Sequence, residues 1–406
     1  GYFRLKELIG SGNKGFFLFF LKDLFSISKL YDLEAVGKVN RKNKKTNIII
    51  SYCLKQNFDK RGNYYDEYFG TLTNTKKATW ILISLDHKIP RKLKENIIII
   101  KKNKNGTFSL IYLISIILKN IFKLKVPIRD NFFDKLSSHH VFSAKLNEII
   151  KNLFKNYQIK NSIINYESIP FQNKFINTIK KLDKNSHIYC YLHCAAWPLQ
   201  TELIYKQKKI DTFFVSGEDQ KKVLIKYYSW PKKKIKVIPS LRFKKMKKNL
   251  LGGYIFLPIE IFDKKLFLKK LKIFFENSPV KSLYKMKARI HPLQKNNNIH
   301  RDLKKEIELL IKKNKSKFSR KKKDKDSIIF GNASGVCIQA LEEGNRVFHF
   351  PDDINLDTFS KRIWKEISID KINEGVFSYK IIKKNNIFKT SHETNKFNKY
   401  FLPLIS

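Results

Sequence analysis

The segment Gly331–Phe350, GNASGVCIQALEEGNRVFHF, has residue types that suit a phosphate-binding turn. Its first five residues are small or polar, and they separate a predicted β-strand from a predicted α-helix. The first turn of such a helix presents unpaired backbone N–H groups and a partial positive charge, and both attract an anion. The Ser334 hydroxyl can cap the helix or donate a hydrogen bond to an oxygen. We therefore predict phosphate contacts from Asn332, Ser334 and Gly335, with an ordinary tight strand–helix turn as the alternative.

A second candidate is the sequence KARIHP at Lys287–Pro292, roughly 40 residues before that turn. It is typical of a strand that ends in His-Pro. Ligands of open α/β sheets bind at the carboxyl ends of the strands. His291 in that position can donate a hydrogen bond to a phosphate, and Pro292 fixes the backbone that follows it. The two motifs together predict an anion site at one sheet edge.

The first half of the chain offers further candidates for chemistry. Glu167 follows a predicted strand and precedes a predicted helix, which suits either a general base in a cleft or a helix N-terminal charge. His193 ends another predicted strand and is interpreted as a ligand contact or as an ordinary surface histidine. Arg242 is one of 11 Arg, and pairing with a phosphate or with a carboxylate of the protein would both explain it. Asp66 and Glu67 are interpreted as a solvated acidic turn.

Metal ligation is not indicated by the sequence. Cys190 and Cys194 stand four residues apart with two histidines nearby, but a structural zinc site needs a second ligand pair at similar spacing. The only D-x-D pattern, Asp324 and Asp326, lies in a basic low-complexity run. We therefore predict reduced thiols, no bound metal and no cofactor.

Short β-branched strands alternate with helix-capable stretches, which predicts the α/β class. A chain of 406 residues is too long for one ordinary core, so two domains are expected. A basic linker places the predicted boundary near residue 246, giving domains 1–245 and 246–370. The remaining segment, 371–406, is expected to pack back on the first domain. Helices are predicted at Ser137–Lys155 and Thr358–Ile367.

The net charge of +48 and the pI of about 10.0 invite a nucleic-acid interpretation. However, 83 Lys and Arg include only 11 Arg, whereas nucleic-acid binders favour Arg because it reads phosphate and guanine bidentately. Abundant Lys, Asn and Ile are also what AT-rich codon usage produces. The apolar runs Phe16–Phe25 and Leu110–Leu118 fall short of the ~20 residues that span a bilayer. We predict a cytoplasmic protein with weak attraction to anionic membrane surfaces and no specific nucleic-acid partner.

The order of motifs in the second half resembles the nucleotide-binding domain of GT-B glycosyltransferases. It is most similar to bacterial surface-carbohydrate biosynthesis proteins and to the CMP-sugar-using sialyl- and Kdo-transferase-like group. Gln339 stands where many relatives have Glu, and Glu342 or Glu343 is a candidate to replace it. Looser resemblance covers YESIPFQN at Tyr166–Asn173 and YLHCAAWP at Tyr191–Pro198. The residues that the resemblance implies hold the nucleotide and its phosphate are His291, Pro292, Asn332, Ser334 and Gly335.

The resemblance implies two Rossmann-like domains that face a cleft, and metal-independent transfer of a sugar from a nucleotide donor. The acceptor would be a surface polysaccharide or a lipid-linked glycan. Two alternatives stay open: a non-catalytic nucleotide-sugar-binding scaffold protein, and a transferase of glycerophosphate polymers.

Overall fold

A computed structural model gives the fold of most of the chain beyond residue 32. The residues that it describes are 33–37, 39, 45–53, 55–73, 77–84, 89–90, 92–103, 138–194, 201–243, 253–258, 261, 263–277, 286–291, 294–315, 327–330, 335–351, 358–373, 375–384, 387, 389, 393 and 395–406. The apolar runs Phe16–Phe25 and Leu110–Leu118 lie outside these residues.

The described residues of the first half include ten strands, because runs of Ile, Val and aromatic residues favour extended backbone. They are β1 (Leu33–Val36), β2 (Lys45–Cys53), β3 (Tyr65–Asp66), β4 (Thr71–Leu72), β5 (Thr79–Ser84), β6 (Ile97–Lys102), β7 (Gln158–Asn165), β8 (His187–Tyr191), β9 (Thr212–Val215) and β10 (Ile235–Val237). β3 and β4 pair separately, and the other eight form one sheet in the order β1-β6-β5-β2-β7-β8-β9-β10. All of its pairs are parallel except that between β1 and β6.

Helices cover the first sheet, as its doubly buried strands require. They are α1 (Ser138–Phe154), α2 (Pro170–Leu182) and α3 (Glu218–Lys226), with short 3-10 turns at Lys55–Asn57, Thr201–Ile204 and Lys232–Lys234. α1 and α2 bury Leu146, Ile150 and Phe175 in one apolar cluster with sheet residues such as Ile48 and Ile164. None of the helices among the described residues combines the length and apolar character needed to cross a bilayer.

The strand order of the first sheet reverses at β2. From β2 the chain builds outward through β5 and β6, and it then returns to add β7 on the other side of β2. Such a reversal opens a crevice beyond the carboxyl ends of the two central strands, where ligands of open α/β sheets bind. The residues that follow β2 and β7 are therefore placed at a binding position by topology alone.

In the part of the second half that the structure describes, six strands form a separate sheet. They are β11 (Tyr254–Phe256), β12 (Lys287–Arg289), β13 (Ser327–Phe330), β14 (Arg346–His349), β15 (Ile367–Asn373) and β16 (Val376–Ile381). The order is β12-β11-β13-β14-β16-β15, with β11 to β14 parallel and β16 antiparallel to both of its neighbours. The helices are α4 (Lys264–Asn277), α5 (Asn298–Lys313) and α6 (Gly335–Glu342). The predicted α/β class with two Rossmann-like sheets is confirmed.

Two features of the second half differ from the sequence-based expectations. The stretch predicted as a helix at Thr358–Ile367 is not helical in its described residues, and it leads through turns into β15. Trp364 and Phe359 are buried there, so their periodic spacing reflects packing of a loop rather than one face of a helix. The second sheet also continues through β16 to Ile381, beyond the boundary that was drawn at residue 370.

The end of the chain lies against the first sheet. Two short helices, α7 (Lys396–Tyr400) and α8 (Leu402–Ile405), bury Phe397, Phe401 and Ile405 in a cluster with Trp80 of β5. The Lys396 ammonium is buried as well, and it donates to the carbonyl oxygen of Ser240 at 2.6 Å.

Candidate functional site

Two polar side chains meet at the carboxyl edge of the first sheet. Glu167 follows β7 by two residues, and His193 follows β8 by two residues. Because β7 and β8 are adjacent parallel strands, both side chains emerge at the same edge. His193 Nε2 lies 3.2 Å from Glu167 Oε1, so the structure brings together two residues that the sequence had singled out separately.

A hydrogen-bond network fixes the turn that carries Glu167. The Gln172 side chain accepts from the backbone N–H of Glu167 at 2.8 Å and donates to the carbonyl of Asn165 at 2.6 Å. Ser168 has φ of 62°, a left-handed conformation that non-glycine residues seldom adopt. Asn173 offsets that strain by donating to the Ser168 carbonyl at 2.9 Å. Strain held by surrounding bonds is typical of functional turns, and this turn orients the Glu167 carboxylate.

The protonation states of the pair follow from their surroundings. Burial raises the pKa of the Glu167 carboxyl, while a hydrogen bond from Cys194 and the charge of Arg242 oppose that rise. Burial, and then the charge of Arg242, lower the pKa of His193 to about 3, so the imidazole is neutral at pH 7. The Glu167 side chain is 30% exposed and that of His193 only 6%. Glu167 is thus the member that a bound molecule can reach, and His193 orients it.

An aromatic and cationic wall adjoins the pair. The Tyr68 ring packs edge-on against the His193 ring with centroids 4.6 Å apart. Arg242 is exposed, and its guanidinium lies over the rings of Tyr68 and Phe243 at 5.3 and 5.2 Å. None of the ion pairs found between described residues includes Arg242, which weakens the interpretation as an internal salt bridge. Its charge stays available to a bound anion.

Asp66 is not the solvated acid that was expected from the sequence. Its side chain is fully buried, and Oδ1 accepts from the backbone N–H groups of Tyr68 and Phe69 at 2.9 and 2.8 Å. The error arises because the neighbour Glu67 is indeed exposed, and sequence gives no sign that the chain turns inward between them. Asp66 closes the turn that presents Tyr68 to His193.

Asp66→Asn is expected to change how stability depends on pH. Burial raises the pKa of Asp66 from 3.8 to about 7, so the folded state holds a proton that the unfolded state releases. The wild-type protein should therefore lose stability relative to Asp66→Asn as pH rises from about 4 to about 7. Urea unfolding at several pH values measures this. Asp59→Asn is the control, since hydrogen bonds from Asn63 lower the pKa of the exposed Asp59. If the free energy of unfolding of both variants changed with pH in the same way relative to the wild type, the raised pKa of Asp66 would be contradicted.

His291 lies at the corresponding edge of the second sheet. It follows β12, and β12 and β13 flank β11 on opposite sides, so the strand order also reverses there. Burial, then the charges of Arg242 and His300, lower the pKa of His291. The charge of Arg242 also contributes to the pKa shifts of Glu167 and His193, so it acts on residues at both sheet edges.

The remaining predicted phosphate contacts are placed in part. Gly335 begins α6, five positions after the last residue of β13. Glu342 ends α6 about 10 Å from that N-terminus, at about 1.5 Å per residue. Its buried carboxylate accepts from the backbone N–H of Ile387 at 2.9 Å, so it anchors the chain leading to the C-terminus. The others, Pro292, Asn332 and Ser334, lie outside the described residues.

Glu167, His193 and Cys194 present three possible metal-ligand atoms within 4.8 Å of one another. Nitrogen, sulfur and oxygen donors of this kind suit zinc. The Glu167 carboxylate already interacts with both partners, which explains the cluster without an ion. The absence of a metal therefore stays a prediction. No two of the four cysteines are joined in a disulfide, and Cys53, Cys190 and Cys337 are buried as expected.

Sequence reasoning missed Asp66, Tyr68, Gln172 and Cys194 as parts of this site. The Gln172 position had a detectable pattern, because a Gln near the start of a helix commonly binds back to the preceding backbone. The contact between Tyr68 and His193 joins segments more than 100 residues apart in sequence, and no local pattern reports such a contact.

Comparison with known proteins gives only distant likenesses. No family model and no curated protein matches the chain. A glycosyltransferase from Rickettsia africae ESF-5 is 15% identical, with a TM-score of 0.37 over 77% of this chain and 86% of that chain. The structure "Trehalose-6-phosphate from E. coli bound with UDP-2-fluoro glucose" is 14% identical, with a TM-score of 0.38 over 73% of this chain and 81% of that chain. An α,α-trehalose-phosphate synthase (UDP-forming) from Burkholderia vietnamiensis is 9% identical, with a TM-score of 0.34 over 68% of this chain and 71% of that chain. Values this low leave the functional inference to the residues of the site.

Proposed function

We propose that the protein is a glycosyltransferase that moves a sugar from a nucleotide-sugar donor to a hydroxyl of an acceptor. The observation that carries the proposal is the position of Arg242. Its guanidinium lies over the ring of Tyr68, which packs on His193 beside Glu167 at one sheet reversal, and its charge lowers the pKa of His291 at the other. A base on one side and anion-binding groups on the other are what sugar transfer from a nucleotide requires.

On the acceptor side, Glu167 is the general base. Burial raises the pKa of Glu167 towards neutral pH, and a general base is most effective when its pKa lies near the pH at which the enzyme works. The acceptor hydroxyl gives its proton to Glu167 as its oxygen forms a bond to the anomeric carbon of the donor. Neutral His193 is a positioning residue, because its Nε2 holds the carboxylate and its buried ring rests on Tyr68.

On the donor side, the bond between the anomeric carbon and the phosphate oxygen breaks, and the nucleotide leaves with the electron pair. His291 is half-buried, and its lowered pKa keeps it neutral at pH 7, so it donates one hydrogen bond to a phosphate oxygen. The exposed guanidinium of Arg242 and the N-terminus of α6 add positive potential for the leaving charge. These groups can stabilise the leaving nucleotide without a divalent cation, so we expect metal-independent transfer.

The resemblance in the second half supports a finer proposal. We favour a CMP-sugar as donor and a surface polysaccharide or lipid-linked glycan as acceptor, in the cytoplasm. Asn332, Ser334 and Pro292 then complete the contacts to the nucleotide and its phosphate. His291 is the residue through which this assignment is tested.

CMP is expected to raise the melting temperature of the protein, because a ligand that binds only the folded state stabilises it. The shift should be lost in His291→Ala and in Ser334→Ala. His187→Ala is the matched control, since His187 is exposed at the amino end of β8, and it should keep the full shift. Thermal unfolding with CMP, CDP, UDP, GDP and ADP provides the measurement.

The pattern of responses separates the possibilities. Stabilisation by UDP or GDP instead of CMP would keep the sugar-transfer proposal and overturn the donor. Stabilisation by none of the nucleotides would contradict the proposed function. Binding of a nucleotide sugar without transfer of the sugar would favour the hypothesis of a non-catalytic scaffold protein over that of an enzyme.

A further inference from the structure

We infer that a basic and apolar face of the first domain docks onto an anionic lipid bilayer. This docking face consists of side chains from two neighbouring segments, 204–209 and 232–233. Its members are Ile204, Tyr205, Lys206, Lys208, Lys209, Lys232 and Lys233.

Three hydrogen bonds hold the two segments side by side. The Trp230 indole N–H donates to the carbonyl of Leu203 at 2.8 Å. The Lys234 ammonium donates to the carbonyls of Lys208 and Ile210 at 2.8 and 2.6 Å. Trp230 is buried, so this junction is part of the folded structure and the docking face is presented by a rigid base.

The docking face exposes large apolar side chains beside its charges. Ile204 is 59% exposed and Tyr205 58%, the two most exposed apolar side chains of the first domain among the described residues. All five lysines of the face are exposed too. Of the nearby acids, Asp211 is paired with Lys180 at 3.0 Å, and Glu202 is half-buried. The face therefore combines a net positive charge with two exposed apolar side chains, Ile204 and Tyr205, whose removal from water would be favourable.

An anionic bilayer satisfies both features at once. Lys ammonium groups are attracted to acidic headgroups, and Ile and Tyr side chains insert at the boundary between headgroups and acyl chains. A nucleic acid would attract the lysines, but it would leave Ile204 exposed. The face also lacks Arg, which reads phosphates and bases bidentately.

The docking face is connected to the turn that carries Glu167. The Ser168 hydroxyl donates to the carbonyl of Tyr205 at 3.3 Å, and the Gln207 side chain donates to the carbonyl of Asn173 at 3.2 Å. Docking would therefore bring the carboxyl edge of the first sheet close to the bilayer surface. If the proposed function holds, a lipid-linked acceptor would reach Glu167 from that side; docking itself does not depend on the function.

Vesicle binding tests the docking face directly. The probe is co-sedimentation with vesicles of phosphatidylcholine alone and of phosphatidylcholine mixed equally with phosphatidylglycerol. We expect binding only to the anionic vesicles. Joint replacement by Lys206→Gln, Lys208→Gln and Lys209→Gln should weaken it about 100-fold, at about fivefold per lysine. Ile204→Ser with Tyr205→Ser should weaken it as well and leave a remnant that moderate salt removes completely, because only the electrostatic part remains.

A matched control separates this face from the general charge of the protein. α5 exposes Ile299 and Leu309 beside Lys305, Lys312 and Lys313. Neutralising those three lysines removes the same charge from the second domain and should leave vesicle binding unchanged. An equal loss in this control, or unaltered binding by the docking-face variants, would overturn the proposal. So would a docking-face variant that loses duplex DNA binding while it keeps vesicle binding.

Discussion

Glu167→Gln is expected to lower the turnover number of the proposed sugar transfer by about 10²- to 10⁴-fold, the usual contribution of a general base. The amide keeps the size and the hydrogen bond to His193, but it cannot accept the proton of the acceptor hydroxyl. Nucleotide binding should be unchanged, since the donor contacts that we propose, such as His291, do not include Glu167. Initial rates and nucleotide affinities of purified wild type and variant give the measurement.

The pH dependence of the rate gives a second readout of the same residue. In the wild type the rate should rise with pH through the pKa of Glu167, which lies above its ordinary value of 4.5. Glu202→Gln is the matched control, because the charge of Glu202 contributes to that rise. It should keep nearly full activity and move the acidic limb of the profile to lower pH. A Glu167→Gln protein with wild-type turnover would eliminate Glu167 as the base.

Phe401→Ala is expected to lower the free energy of unfolding by about 3–5 kcal/mol, the usual cost of deleting a buried aromatic ring. The Phe401 side chain is fully buried, and its ring lies within 5.0–6.1 Å of the rings of Phe69, Tyr191, Phe214 and Phe397. The cavity would open directly against the first sheet. Urea unfolding followed by tryptophan fluorescence measures the loss, because Trp80 belongs to the same cluster.

Asn398→Ala is the control for the C-terminal segment. Asn398 is exposed on α7, so its replacement should change the free energy of unfolding by less than about 0.5 kcal/mol. An equally small effect of Phe401→Ala would show that the C-terminal helices do not contribute to the core of the first domain in solution.

The α/β class and most strands could be predicted because the information is local. Runs such as NIIISYC and TWILISL are apolar on both faces, and a chain that buries both faces of a strand needs helices on each side. The stretch before β15 was predicted incorrectly for the same reason. Its spaced apolar residues fit a helical period, and only packing reveals that Phe359 and Trp364 are buried from a loop.

By itself, the sequence determined the succession of strands and helices. It singled out Glu167, His193 and His291 by their positions after strands, and Arg242 as one of few Arg. The tertiary structure decided which of these residues meet. Parallel pairing of β7 with β8 joins Glu167 to His193, and packing of a distant loop buries Asp66 and places Tyr68 between His193 and Arg242. Such contacts depend on sheet order and loop closure over long stretches of chain. Residue types and spacing encode the local elements, but the contacts form only when apolar faces far apart in sequence are buried together.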